Sequence, residues 1–167
     1  MSLESALHAF LTAALPVGSR IIRSDQDGER PAKPYVTYKI MTDEEEGHAN
    51  FIPGDDEDSE DLLERKRITV SVQGFGSTAR SLLASVFQAL YRDDLVEAAI
   101  ATGITPYLMD PATNITAVVD SGFEERWVST LHVRYSETLV GVTEGGIETI
   151  DVTGDIGNVA FSLEVTE

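Results

Sequence analysis

The side chains best suited to bind a metal ion lie in an acidic stretch between positions 42 and 61. Within it, Asp56, Asp58 and Glu60 alternate along the chain as oxygen ligands of a divalent cation do. A calcium loop also requires a glycine at its sixth position and a glutamate at its twelfth, and neither is correctly placed here. The stretch therefore favours a solvated loop or a docking surface, and we expect no bound metal.

The sequence also lacks the common patterns of catalytic residues. Its histidines, His8, His48 and His132, are far apart, and none belongs to the His-Glu-x-x-His pattern of a zinc site. Serine, histidine and aspartate are all present, but no Gly-x-Ser-x-Gly elbow marks a nucleophile. No Gly-Lys-Ser/Thr sequence marks a phosphate loop. We interpret each histidine as a surface or sheet-face residue and predict no catalytic residue.

The motif Gly74-x-Gly76-x-x-Ala79 resembles a dinucleotide fingerprint, because it follows a predicted strand and opens a predicted helix. However, the strand Ile68–Val72 alternates apolar and polar residues, whereas a buried parallel strand is continuously apolar. A second helix, starting at Asp93, also takes the place where a second strand belongs. We therefore interpret the glycines as a corner that folds helix Ser77–Tyr91, with its first residue as N-cap, onto the sheet. We expect no cofactor.

Composition excludes several functional classes. The formal net charge is −17 over 167 residues, which argues against non-specific binding to nucleic acid, because phosphate contacts require lysine and arginine. No cysteine is available for disulfides or thiolate–metal sites. The apolar run Ala6–Leu15 has no basic residue before it, so we predict an amphipathic helix there and not a signal peptide. No apolar run approaches the roughly 20 residues that span a membrane.

The order of the predicted elements indicates an α+β fold. A helix over Ser2–Ala14 precedes a short strand at Ile21–Ile22 and a strong strand at Tyr35–Met41. The strand, corner and helix around Gly74 follow, and then a short helix over Leu95–Thr102. The rest of the chain is predicted to be β-structure. This order predicts an antiparallel or mixed sheet with two or three helices packed on one face.

The C-terminal part has the alternation and turn residues of successive strands. We predict an α+β domain over residues 1–140 and a β-hairpin over residues 141–167. The hairpin either joins the domain's own sheet or forms an arm that reaches a neighbouring subunit. The strands are predicted at Ile104–Met109, Ile115–Val119, Glu124–Tyr135, Ile147–Val152 and Val159–Val165.

The acidic stretch is predicted to be a mobile loop or flap, residues 42–61, between two antiparallel strands. These strands are expected to end near Met41 and to resume near Leu62. Like charges this close repel one another, so the segment does not belong to the core. Together with two arginines, its residues are candidates for a subunit interface or a channel lining: Asp43, Glu44, Glu45, Glu46, Asp55, Asp56, Asp58, Glu60, Arg23 and Arg30.

Several short runs, in a fixed order, carry a resemblance to a known family. The first are Ile22-Arg23-Ser24-Asp25-Gln26 and Arg30-Pro31-x-x-Pro34-Tyr35-Val36-Thr37-Tyr38. The later ones are Ile68-Thr69-Val70-Ser71-Val72-Gln73-Gly74-Phe75-Gly76, Gly103-Ile104, and Glu125-Arg126 before a long strand. Over most of the chain, up to about Tyr135, the sequence resembles the bacteriophage tail and neck terminator proteins, which act at the tail tube and in head–tail joining.

The resemblance implies a non-enzymatic structural protein of the virion tail or neck, made in the host cytoplasm and not bound to a membrane. Such proteins are similar small α+β domains that assemble into a homo-hexameric ring. The implied partners are further copies of the chain, the tail-tube protein that the ring caps, and the head–tail connector or stopper protein.

The ring's lumen would pass genomic DNA without specific binding, since an acidic wall repels a polyanion. From the residues alone, two alternatives remain open. One is a small acidic adaptor that binds a basic partner. The other is a metal-binding hydrolase that uses the acidic loop.

Overall fold

The computed structural model describes residues 2–27, 30–53, 60–119, 122–140, 149–156 and 159–166. The chain divides into two compact units, Met1–Ala49 with Leu63–Glu137, and Asn50–Leu62 with Thr138–Glu167. In chain order, its elements are α1 (Leu3–Ala14), β1 (Arg20–Arg23), β2 (Tyr35–Glu45), β3 (Asn50–Pro53), β4 (Glu60–Phe75), α2 (Ala79–Ala89), α3 (Asp93–Ala101), β5 (Ile104–Met109), β6 (Thr113–Asn114), β7 (Ala117–Val119), β8 (Gly122–Glu124), β9 (Arg126–Leu139), β10 (Thr149–Ile156) and β11 (Val159–Thr166).

A mixed, largely antiparallel sheet organises the fold. Its strand order is β1-β2-β4-β9-β5, with β3 paired to β4 and β6 paired to β9. The pair β1–β2 is parallel, whereas β2–β4 and β5–β9 are antiparallel. In the described part of the chain, three helices accompany this sheet, so the predicted α+β class is confirmed.

The hydrophobic core lies on one face of the sheet, against the helices. The alternation of β4 places Ile68, Val70 and Val72 on this face, and all three are fully buried. Helix α1 contributes Leu7 and Leu11, also fully buried, from its apolar stripe. Each such aliphatic side chain stabilises the fold by about 1.5–3 kcal/mol relative to an exposed one. The other face of the sheet is therefore free to carry polar side chains.

The acidic stretch begins differently from the prediction. Strand β2 does not end at Met41 but continues to Glu45, and it pairs with β4 as far as Lys66. A register shift between Ile40 and Thr42 accompanies this extension. Asp43, Glu44 and Glu45 are thus strand residues and not loop residues, and Glu60 is the first residue of β4. This acidic segment can pair with β4 in the sheet because basic side chains of β4 and β9, described below, lie close to its carboxylates.

The glycine corner lies where the sequence predicts it, but its capping is different. Strand β4 runs through Phe75, Gly76 has a φ of +95°, and the helix starts at Ala79. Its N-cap is Thr78, not Ser77, and no side chain caps it. A Cβ atom added at Gly74 would lie 2.8 Å from the carbonyl oxygen of Ala79. Glycine is therefore required there for the close approach of helix to strand.

The C-terminal strands differ in detail from their prediction. Of the predicted strand Ile115–Val119, only Ala117–Val119 is a strand, β7, which pairs with β8 in a small antiparallel sheet, and the short strand β6 precedes it at Thr113–Asn114. The predicted strand from Glu124 instead starts at Arg126 and reaches Leu139. In the other unit, β10 and β11 form an antiparallel pair with register Thr149↔Thr166. A domain boundary at residue 140 and an arm that reaches a neighbouring subunit remain predictions.

Candidate functional site

The sheet face opposite the core, here called the polar face, is the candidate functional surface. It lies within the unit that contains residues 1–49 and 63–137. Because side chains alternate along a strand, residues with the opposite parity to the core residues point to this face. Strand β2 contributes Tyr35, Thr37 and Lys39, β4 contributes Ser71, Gln73 and Phe75, and β9 contributes Arg126, Thr130, His132 and Arg134.

A cavity of about 600 Å³ opens on the polar face. The sheet forms its floor, and residues of the segment after β1 form part of its wall. Its lining is largely polar, and four basic and two acidic side chains take part: Arg23, Arg30, Lys39, Arg126, Asp25 and Asp27. Two of the predicted site residues, Arg23 and Arg30, are therefore brought together in one cavity.

An aromatic stack supports one side of this cavity. The rings of Tyr35 and Phe75 lie 4.6 Å apart with an interplanar angle of 11°. The guanidinium carbon of Arg126 lies 4.6 Å from the centre of the Phe75 ring. Both aromatic side chains are almost fully buried, so the stack fixes the plane of the guanidinium before any partner arrives.

The basic side chains of the cavity differ in their partners. Arg23 Nη1 donates to Glu4 Oε2 at 2.7 Å, and Lys39 forms an ion pair with Asp25. Within the part of the chain that the structure describes, neither Arg30 nor Arg126 makes a side-chain hydrogen bond or an ion pair. The Nε atom of Arg126 is buried and has no hydrogen-bond partner there.

A carboxylate close to this cavity is already engaged. Glu124 is buried, and its Oε1 accepts a contact of 2.6 Å from Lys33 Nζ. The Lys33 hydrogen bond is the main reason that the pKa of Glu124 is lowered, and the positive charges of Arg30 and Arg126 add to the effect. The positive charge of Arg126 thus acts on Glu124, whereas the hydrogen bond of Glu124 is made with Lys33.

At the other end of the polar face, the acidic residues of β2 are paired with β4 and β9. Both Nε and Nη2 of Arg134 donate to the carboxylate of Glu46 at 2.7 Å. This bidentate bond is the main cause that lowers the pKa of Glu46. Arg67 Nη2 donates to Glu44 Oε2 at 2.8 Å. These contacts bind the acidic segment to the sheet.

Asp43 has a partner on β9. The hydroxyl of Tyr135 donates to the Asp43 carboxylate, with oxygen–oxygen distances of 2.8 and 3.0 Å. Burial, and then this hydrogen bond, raise the pKa of Tyr135 to about 12. The residue pair lies near Lys66, whose pKa is raised chiefly by a hydrogen bond to Glu137. Arginines of the same chain therefore offset the charges of Glu44 and Glu46, whereas Asp43 has a neutral hydrogen-bond donor.

The remaining candidate residues differ from these. Glu45 pairs through its backbone with Lys66, but its side chain is exposed and makes no hydrogen bond or ion pair with the described residues of its unit. Glu60 is exposed at the start of β4. Asp55, Asp56 and Asp58 lie outside the described residues.

Sequence reasoning missed Arg126 as a site residue. It used this residue only as part of a short run before a long strand. The parity of β9 could have shown that Arg126 and Arg134 share a face, but no sequence signal could show the Phe75 ring beneath the guanidinium.

Two other kinds of feature, a metal site and a membrane-spanning helix, are not found among the described residues. Among residues 2–27, 30–53, 60–119, 122–140, 149–156 and 159–166, no group of three or more histidine, aspartate or glutamate side chains is placed to hold a metal ion. His132 Nε2 lies 3.4 Å from Asp110 Oδ1, which is a single contact and not a ligand set. In the same described part, no helix is long and apolar enough to cross a bilayer.

Comparison with known proteins then gives the family. A family model described as phage neck terminator protein matches residues 1–159. The chain belongs to this family. The match confirms the resemblance. It includes the acidic segment, and it extends beyond Tyr135 through β10 to the first residue of β11. Among the curated proteins, none matches the chain.

Family membership gives the phage neck terminator a general role and place. It is a structural component of a bacteriophage virion, located in the tail or neck, where it associates with other tail and head components. Among the described residues, the cavity on the polar face holds a buried donor without a partner, the Nε atom of Arg126.

Proposed function

We propose that this protein forms a homo-hexameric ring that caps the last ring of the tail tube, ends tube polymerisation and joins the tail to the head–tail connector. The observation that carries this proposal is the match of the phage neck terminator family over residues 1–159. In such a ring, each copy contacts the next through two different surfaces. A contact of this kind, repeated by rotation, closes into a ring when the rotation angle allows it. In this role the protein acts as a structural part and not as an enzyme, and it needs no cofactor.

The experiment compares tails assembled with and without this protein by electron microscopy. We expect overlong tubes without connectors when the protein is missing, and tubes of uniform length when it is present. Light scattering should give the purified or tube-bound protein a mass of six times 18.1 kDa. Tubes of unchanged length in its absence would contradict termination. A monomer that binds a basic partner in a salt-sensitive way would favour the adaptor alternative.

The net charge of −17 supports a second part of the proposal, that genomic DNA passes the ring without specific binding. Glu44 and Glu46 are ion-paired with arginines, and Asp43 accepts the Tyr135 hydroxyl. Glu45 is therefore the residue of this group whose side chain has no partner among the described residues and is available to face a lumen. We expect the Glu45→Lys variant to slow DNA passage, measured as ejection rate, while Glu45→Gln changes it less. A channel lined by lysine and arginine in an electron-microscopy map of the ring would refute the acidic lumen.

The hairpin β10–β11 supports a third part, that residues 141–167 form an arm that pairs with a neighbouring subunit. A two-stranded sheet has two edges whose backbone groups are available for strand addition. Truncation after Glu144 should then reduce the hexamer fraction, measured by size exclusion with light scattering, more than it lowers the melting temperature. An unchanged hexamer fraction after truncation would exclude the arm.

A further inference from the structure

Strand β9 carries two arginines in closely similar aromatic surroundings. Arg126 and Arg134 have the same parity on β9, and the register shift of the β5–β9 pair falls on β5, so both lie on the polar face. The guanidinium carbon of Arg126 lies 4.6 Å from the ring centre of Phe75, and that of Arg134 lies 4.4 Å from the ring centre of Tyr107. Each guanidinium is thus held against a ring and presents its edge to other groups.

The edges of the two guanidinium groups are used differently. Arg134 donates from Nε and Nη2 to both carboxylate oxygens of Glu46. Arg92 uses the same two atoms for Asp94, at 3.1 and 2.6 Å. In Arg126, the Nε atom is buried and has no partner within the described residues. A buried donor without an acceptor is unfavourable, and the guanidinium of Arg126 lines the cavity, so we expect its acceptor to lie outside the described residues.

We propose that the Arg126 cavity is a carboxylate-binding site, and that in the proposed ring an Asp or Glu side chain of the next copy occupies it. The Nε–Nη edge of Arg126 matches the two oxygens of a carboxylate, as Arg134 and Arg92 show in the same chain. The cavity volume of about 600 Å³ accommodates such a side chain, and Arg30 contributes a second cation. Glu124 leaves the site open because its hydrogen bond goes to Lys33.

The composition of the protein favours a carboxylate from a second copy. The chain has 29 acidic and 12 basic residues, so carboxylates are abundant on every copy and cationic receptors are scarce. Neighbouring copies with a net charge of −17 repel one another unless acids of one copy meet cations of the next. Polyanions such as DNA are disfavoured by the same net charge and by Asp25 and Asp27 in the cavity wall. The source of the carboxylate rests on the proposed ring, whereas the binding chemistry does not.

The chemistry can be tested on the full chain without a ring. The probe is an acetylated and amidated tri-glutamate peptide, with the tri-glutamine peptide as the matched control. In proton–nitrogen spectra, the Nε–H signal of Arg126, assigned with the Arg126→Gln variant, should shift saturably with the glutamate peptide. The signals of Arg92 and Arg134 should stay unchanged, because their edges are occupied. No shift, or an equal shift with the glutamine peptide, would overturn the carboxylate site.

The source is tested by assembly. Arg126→Gln should raise the protein concentration needed for half-maximal ring formation by about tenfold, as expected for the loss of one charge-assisted bidentate contact per interface. Arg126→Lys, which keeps the charge but loses the planar edge, should be nearly as defective. Arg92→Gln is the matched control and should assemble normally, and melting curves check that each variant is folded.

The outcomes separate the two proposals. If Arg126→Gln assembles like the unmodified protein, the next copy is not the source of the carboxylate, and that part of the inference is overturned while the ring stands. If the unmodified protein forms no ring either alone or on tail tubes, the proposed function fails, and the peptide titration still decides the binding chemistry.

Discussion

The two ends of strand β9 show how one structural arrangement serves two purposes. At the C-terminal end, Arg134 stacks on Tyr107 and its donors are bound by Glu46 of the same chain. At the N-terminal end, Arg126 stacks on Phe75 and its Nε atom has no acceptor among the described residues. The first arrangement joins strands within the sheet, and the second leaves a preorganised donor beside a cavity.

The difference arises from what the neighbouring strand supplies. Strand β2 extends far enough to bring acidic residues beside Arg134 and Arg67. At the opposite end, β2 and β4 supply the stacked rings of Tyr35 and Phe75, and the Phe75 ring beside the guanidinium carries no acceptor for its edge. The acidic end of β2 thus provides acceptors for the donors of Arg134. The aromatic pair lies at the other end of the sheet, where the Nε donor of Arg126 stays available to a partner.

The largest effect on this comparison is expected from Gly74→Ala, which acts on the corner beside Phe75. The added methyl would lie 2.8 Å from the carbonyl oxygen and 3.0 Å from the Cα of Ala79, both backbone atoms that cannot rotate away. We expect a loss of about 2–3 kcal/mol in the free energy of unfolding, since overpacking at a close backbone contact forces the helix away from the strand. Urea unfolding followed by circular dichroism measures it.

The matched control for this prediction is Gly103→Ala. Gly103 has a φ of +92° and open space around its Cβ position, so only backbone strain opposes the substitution. That strain costs about 1 kcal/mol. Equal losses for the two variants would show that close packing at the corner does not hold the Arg126 end of the sheet.

A smaller effect is expected when Lys33 is replaced by methionine. Glu124 is buried and loses the hydrogen bond that chiefly lowers its pKa. Leaving this acceptor without its donor should cost about 1 kcal/mol near neutral pH, a value reduced by the partial solvent exposure of Lys33.

The stability difference between Lys33→Met and the unmodified protein should depend on pH. Because the folded-state pKa of Glu124 is lowered, its contribution to stability is present above the ordinary pKa of glutamate, about 4.3, and is lost as the pH falls through the lower folded-state value. Unfolding free energies of the Lys33→Met variant and the unmodified protein should therefore converge in acid. A constant difference down to the acid-unfolding limit would argue against the Lys33–Glu124 bond as its cause.

Some elements of the fold were predictable from the sequence, and the extension of β2 was not. Helix α1 and strands β2 and β4 were predictable because their apolar spacing is local and repeats at 3.6 or 2 residues. The extension of β2 through Glu45 was predicted wrongly as a loop, since the partner of Glu46 on β9 is 88 residues away in sequence. Local charge repulsion was visible in the sequence, but the distant arginine that outweighs it was not.

The candidate site was predictable only in part, for the same reason. Arg23 and Arg30 were named from short runs and do line the cavity. The role of Arg126 depends on its contact with the Phe75 ring of another strand and on the missing acceptor of its Nε atom. Both features depend on which strands pair. A sequence pattern gives the parity of a residue, whereas the identity of its cross-strand neighbours requires the register.

The smallest effect concerns the Arg134 end, where Tyr135→Phe removes the hydroxyl that donates to Asp43. We expect a loss of about 0.5–1 kcal/mol near neutral pH, which is typical of a single hydrogen bond in a partly exposed place. Since the folded-state pKa of Tyr135 is raised to about 12, this contribution is fully present below the unfolded tyrosine pKa of about 10 and is lost as the pH rises through the folded value. Absorbance titration of the phenolate should show that Tyr135→Phe removes a high-pKa transition, with Tyr91→Phe, an exposed residue, as control. Because burial also raises the pKa of Tyr38, the readout is the amplitude of the high-pKa transition. If Tyr135→Phe leaves that amplitude unchanged, the Asp43 contact does not close this end of the sheet, and the contrast with the Arg126 end is weaker than the distances indicate.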